Sequence, residues 1–204
     1  PLSAVEQNRL VDQFVGQNLP EEQFVGQQII RRAQGNPFYA GELLRMLIDR
    51  GGLIQEAPNK TWQLAPQAVE LISGVPTTIK DLILTRFDCL PEELRRTLQL
   101  AAILGSSFTI ELLQIIRDLD QATLALHVKE LERRQFLVSG STKCGFQHTL
   151  IQEVIYSTFL EQDRRLLHDR VAQAIELVED GNLDENAEQL AYHYFESTQP
   201  VKAV

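Results

Sequence analysis

The chain has 204 residues, 44% hydrophobic and 23% charged, with a net charge of −9. That length buries a sizeable core in one domain or in two or three small ones, and no apolar run approaches the roughly 20 residues needed to cross a bilayer. The acidic balance argues against a stand-alone nucleic-acid-binding protein, whose affinity rests on basic surface that displaces counterions from phosphates. The opening PLSAVEQNRL lacks the basic start and apolar run of a signal peptide. Two distant cysteines, Cys89 and Cys144, make no disulfide framework, so the expected setting is the cytoplasm, with reduced thiols.

Ser3-x-x-Glu6 is a capping-box pattern and predicts a helix carrying Val5, Leu10, Val11 and Phe14. Pro20, Glu21 and Glu22 suit the start of a second helix, which runs through Phe24, Ile29 and Ile30 to Arg32 and ends at Gly35. After the turn Gly35-Asn36-Pro37, one wide apolar face formed by Leu43, Leu44, Met46, Leu47 and Ile48 reaches a stop at Gly51 and Gly52. Leu53-Ile54-Gln55 and Thr61-Trp62-Gln63-Leu64 flank polar residues that include Pro58 and Asn59. They read either as a short β-hairpin or as an extended linker.

From Val75-Pro76 onward, Ile79, Leu82, Ile83, Phe87 and Leu90 form a helical stripe, and a further helix from Pro91 carries Leu94, Leu98, Ala101 and Ala102 to Gly105. Helical segments follow around 110–116 and 123–134. In 136–148 two short apolar stretches flank a Gly-Ser turn, a hairpin signal. Three helices followed by a hairpin read as a winged helix. Thr149 with Gln152 makes another capping-box pattern, starting a helix with Leu150, Ile151, Val154, Ile155 and Phe159. A long helix with Leu167, Val171, Ala174, Ile175 and Val178 comes next, then a last one from Leu183 to about Phe195 with Leu190, Ala191 and Tyr194 facing inward. The basic run RRLLHDR at 164–170 is bracketed by Glu161, Asp163 and Asp169 and reads as a solvated helix face. The expected fold class is mainly α with small β-hairpins.

Three separated runs carry a family likeness: GNPFYAGELLRMLIDRGGL, VPTTIKDLILTRFDCLPEELRRTLQLAAILGSSF and FQHTLIQEVIYSTFLEQDRRLLHDRVAQAIE. In this order they resemble the region downstream of the ATPase core in multidomain signalling ATPases of the STAND class, such as those fused to bacterial adenylyl or guanylyl cyclases, serine/threonine kinases and transcription regulators. The likeness extends from about Leu2 to Tyr194. It implies a helical lid segment at 1–52, a linker or hairpin at 53–75, a winged-helix domain at 76–148 and the start of a TPR-like helical repeat array at 149–204. It also implies an upstream ATPase core and a downstream output domain in the same polypeptide. No G-x-x-x-x-G-K-[ST] occurs in the chain, and GSSF at 105–108 lacks the lysine that reaches the phosphates, so no ATP hydrolysis is expected from these residues alone.

In that family the Gly-x-Pro turn of the lid sets its proline against adenine, which the resemblance carries onto Gly35, Asn36 and Pro37. The alternative is that Pro37 only starts a helix, with Phe38 anchored in the core. The family's winged-helix Met-His-Asp motif, whose histidine touches the β-phosphate of ADP, corresponds to Gln147-His148-Thr149. Methionine and aspartate are lost here, although Thr149 still suits a helix cap. The alternative for His148 is a bond to a nearby carbonyl at a strand end. ATP or ADP is thus the expected ligand of the intact protein, with no tight binding to these residues alone. Cys144-x-x-x-His148 has no second ligand pair at metal spacing, and no metal site is expected. His127, His168 and His193 read as single surface or packing residues.

Two other functions compete. The third helix of the winged helix offers Lys129, Arg133 and Arg134 to DNA, although Glu130 and Glu132 offset them. The C-terminal helices could instead serve as a protein-binding scaffold, and an apolar stripe left open on the last helix would favour a homodimer. No membrane association is expected.

Overall fold

The computed structural model describes residues 6, 9, 11, 12, 15, 20–56, 61–140, 143–178 and 183–198. The architecture is mainly α, with two small antiparallel sheets. Compactness divides the chain into residues 1–89 and 90–204. Ser3, Val5, Leu10 and Phe14 of the expected first helix lie outside the described residues, as do Pro58 and Asn59. Val11 and Val15 are helical and buried.

The first unit contains α1 (Pro20–Ala33), α2 (Pro37–Asp49), β1 (Leu53–Glu56), β2 (Thr61–Leu64), α3 (Ala68–Ser73) and α4 (Ile79–Asp88). Val25 and Ile29 of α1, Leu43 and Leu47 of α2, Ile72 of α3 and Leu82 of α4 meet in one core. The Gly51 and Gly52 stop is realised as a Schellman turn. Gly51, at φ 69°, donates to the Ile48 carbonyl (3.0 Å), and Gly52 donates to that of Leu47 (2.6 Å). The 53–64 segment is a hairpin, pairing Leu53 with Leu64 and Gln55 with Trp62. It is no free linker, because Leu53 is buried and Trp62 packs on the core.

The second unit runs α5 (Glu92–Leu104), β3 (Ser107–Phe108), α6 (Ile110–Arg117), α7 (Gln121–Arg133), β4 (Leu137–Ser139), β5 (Cys144–Phe146), α8 (Thr149–Tyr156), α9 (Glu161–Val178) and α10 (Leu183–Glu196). The chain order α5-β3-α6-α7-β4-β5, with strands arranged β3-β5-β4, is the arrangement of a winged helix. Phe108 and Phe146 meet edge to face beneath that sheet, with ring centroids 6.3 Å apart.

The division at Cys89 differs from the expected boundaries at 75 and 148, for two reasons. Helix α4 packs on α2, and its Arg86 is fully buried there in ion pairs with Glu42 (2.5 Å) and Asp49 (2.9 Å). Helices α8 and α9 pack on α5, so 149–178 shares the core of the winged helix, and α10 packs on α9. The Gln152 side chain donates to the Ala102 carbonyl at 2.8 Å across the α5–α8 contact. Among the described residues no helix is long and apolar enough to cross a membrane.

Candidate functional site

The Gly35-Asn36-Pro37 turn is built by the two helices it joins. Helix α1 ends in two residues with positive φ, Gln34 at 47° and Gly35 at 85°, which reverse the chain within two peptides. Asn36 then leaves the turn extended, at φ −87° and ψ 106°, and caps α2. Its Oδ1 accepts from the N–H of Phe38 (3.0 Å) and of Tyr39 (3.3 Å), satisfying two donors that no helical carbonyl can reach. Pro37 occupies the first helical position, where its missing N–H costs nothing.

Two anchors hold this turn from beneath. The Arg32 guanidinium donates to the carbonyls of Val75 (2.6 Å) and Ser73 (3.3 Å), and the Tyr39 hydroxyl donates to that of Pro76 (3.1 Å). Burial raises the Tyr39 phenol above its usual range, so it remains a donor at neutral pH. Tyr39 is the buried aromatic, whereas Phe38, expected in the core, is only half-buried. Asn36 and Pro37 stay exposed. Gln34, Gly35, Asn36 and Pro37 line an open concavity of about 310 Å³. A proline ring at its edge offers a rigid apolar face, and the N-terminal end of α2 lies beside it.

His148 lies in the second unit. It is the N-cap of α8, extended at φ −153° and ψ 141°, and its Nδ1 accepts from the N–H of Leu150 at 3.1 Å. The expected Thr149–Gln152 capping box is therefore not formed. Thr149 is already helical, and Gln152 is spent on the Ala102 carbonyl. A neutral imidazole that accepts at Nδ1 carries its proton on Nε2, as a donor. The side chain is exposed, at the mouth of the β5–α8 turn. Cys144, four residues earlier, is buried in β5, and burial raises its thiol pKa.

The two arginines at the C-terminal end of α7 are engaged by a carboxylate of the same helix. Arg133 grips Glu130 through two bonds of 2.7 Å, and Arg134 Nε reaches the same carboxylate at 2.7 Å. The Arg133 bond, helped by Arg134 and opposed by burial, holds the Glu130 carboxyl down at about 2. The exposed face carries Ala122, Ala125, Leu126 and Lys129, with Leu126 at 68% exposure. Such a face lacks the dense cationic surface that a phosphate backbone requires. Titration with labelled duplex DNA at ~50 mM salt should show no saturable binding below ~10 µM. Glu130→Gln, which releases both arginines, should strengthen whatever weak binding exists. A salt-sensitive dissociation constant near ~1 µM for the unaltered chain would overturn this reading.

The basic run of α9 is likewise engaged. Arg165 pairs with Glu161 (2.6 Å), Arg164 lies over the Tyr156 ring and Arg170 donates to the Ile116 carbonyl (3.2 Å).

Reading the histidines as single residues proves wrong for two of them. His168 and His193 are both fully buried, with Nδ1 atoms 2.8 Å apart. Burial lowers the pKa of His168 to about 4, with Arg164 adding to the fall and Asp169 opposing it; burial and then His168 lower that of His193 to about 3. One signal was available, since His168 shares the stripe of Val171, Ala172 and Ile175 at helical spacing. His127 bonds Thr97 Oγ1 at 2.9 Å, in a cluster with Arg117 and Glu93 that ties α5, α6 and α7 together. Tyr194 faces inward as expected, but Leu190 and Ala191 are only half-buried.

No protein-family model matches the chain. An uncharacterised protein of Rhizobium meliloti (strain 1021) is 35% identical over 107 residues, which covers 47% of this chain. The matched stretch makes up 10% of that relative, so similar sequence occurs there within a much longer polypeptide.

Proposed function

We propose that this chain is a regulatory portion of a multidomain signal-transduction ATPase, coupling the ATP or ADP state of a nucleotide-binding core to an output such as a cyclase, a kinase or a transcription regulator. The observation that carries the reading is the Gln34–Pro37 turn. Its proline is exposed at an open concavity, while Asn36, Arg32 and Tyr39 fix the backbone on either side. A loop with no ligand to meet gains little from so many anchors. The cap role of His148 fits the same reading, because accepting at Nδ1 fixes the tautomer that carries its proton on Nε2. The length of the relative fits a module within a large protein.

In this reading Pro37 contacts the adenine of a nucleotide held by the core, and exchange of ADP for ATP shifts the population between two states. The chain supplies contacts and motion, and the core supplies the phosphate loop and the chemistry.

The test is ADP calorimetry on the full-length protein. Pro37→Ala removes two methylenes worth ~0.8 kcal/mol each when buried, and should weaken ADP about tenfold. His148→Asp preserves an N-cap but exchanges a hydrogen-bond donor for a negative charge, and should weaken ADP by more than tenfold with α8 intact. Unchanged ADP affinity in both variants would sink the proposal.

Exposed Leu177 (77%) and Phe195 (69%) favour a second reading, in which α9 and α10 serve as a protein-binding scaffold or as a homodimer contact. Sedimentation of the chain distinguishes the two: a dimer that Phe195→Ser dissolves supports self-association, and a monomer at ~100 µM opposes it.

A further inference from the structure

Three helices meet at a buried run of hydrogen-bonding groups that neither the turn nor His148 uses. Tyr156 ends α8, and its hydroxyl lies 2.9 Å from Nε2 of His168 on α9. Nδ1 of His168 in turn lies 2.8 Å from Nδ1 of His193 on α10. Both imidazoles are fully buried.

A contact between two Nδ1 atoms holds one proton: one nitrogen donates and the other accepts. Two protonated rings would turn two N–H groups against each other and place two like charges in contact, away from water. The far nitrogen, Nε2 of His193, is also buried and has no hydrogen-bond partner among the described residues, so a charge there has no acceptor among them to spread it.

We propose that the Tyr156–His168–His193 chain is an acid-sensitive fastener, holding α10 against α9 when neutral and releasing it when both imidazoles are protonated.

The surrounding groups do not rescue the charged pair. From α9, Arg164 opposes protonation of His168, and Asp169 favours it but is itself bonded to Thr198. From α10, Tyr192 lies edge-on to both imidazoles, and Glu196 bears on Tyr156, which Arg164 also overlies. Helices α5 and α6 also pack on α9; Arg170, which donates to the Ile116 carbonyl, is about 200° round α9 from His168.

The sign follows from linkage. Both histidines bind protons more weakly when docked than the ordinary 6.5, so docking is fully stable above that value. As pH falls below 6.5 the released helix takes up protons that the docked one refuses. Docking then weakens by about tenfold per histidine for each pH unit.

The experiment is amide exchange by NMR on this chain from pH 7 to pH 5, with α10 protection compared to that of α5. Imidazole 15N spectra are recorded on the same samples. Protection of α10 should fall at least tenfold relative to α5, and the spectra at pH 7 should show two neutral rings. A His168→Phe, His193→Phe double variant should hold α10 protection flat over that range. If it does not fold, the spectra and exchange of the unaltered chain still decide. Constant relative protection between pH 7 and pH 5, or an imidazolium in either ring at pH 7, overturns the proposal.

Discussion

Arg86→Met is expected to cost the first unit about 3–5 kcal/mol, the range for breaking a buried ion pair from one side. The side chains of Arg86 and Glu42 are fully buried and that of Asp49 is 9% exposed, so removing the guanidinium takes away the cation that these two carboxylates share inside the protein. Arg45 still reaches Glu42 at 2.5 Å, but it is one helical turn away on the same helix and cannot join α2 to α4. Since whole domains are stable by only ~5–15 kcal/mol, this loss takes a large share of the unit's stability. Urea titration followed by circular dichroism reads it, and adding Glu42→Gln should recover part of the loss because one buried negative charge disappears. A loss below ~1 kcal/mol would mean that water reaches the triad.

Phe136→Ala should cost the second unit about 3–5 kcal/mol, as for other fully buried aromatics. Phe136 ends a Schellman turn at the close of α7, its N–H donating to the Leu131 carbonyl (2.9 Å) while Gln135 donates to that of Glu132 (2.8 Å). Its own carbonyl accepts from Gln147 N–H at 3.0 Å, one residue before the His148 cap. The ring therefore anchors the point where α7, the hairpin and α8 converge. The neighbouring position gives a control of opposite sign. Gln135 is held at φ 59°, a conformation that costs a side chain about 1 kcal/mol, so Gln135→Gly should raise the same unfolding midpoint. Equal shifts of the same sign in both variants would contradict this account of the turn.

Much of this architecture was legible because its causes are local. Proline with acids at 20–22, the glycine pair at 51–52 and the break at Gly105 punctuate the helices where the sequence places them. The cap of α8 was misplaced by one residue, since a histidine nitrogen and a threonine oxygen both accept and only the backbone angles decide between them. The unit boundary was hidden for a different reason. Arg86 finds its partners 44 and 37 residues away, so no local pattern ties α4 to α2. The turn at 35–37 was visible as a turn, but its anchors were not: Arg32 and Tyr39 reach carbonyls about forty residues downstream. The histidine pair likewise joins two helices 25 residues apart, with only the apolar stripe around His168 as a hint.

The most direct measurement is photolabelling of the full-length protein with 8-azido-ADP, followed by peptide mapping. A nucleotide whose adenine rests on Pro37 should place its label on the peptide spanning residues 33–45, and excess ADP should suppress it. Saturable labelling that never falls on that peptide, or none that ADP displaces, would contradict a nucleotide switch built on this turn.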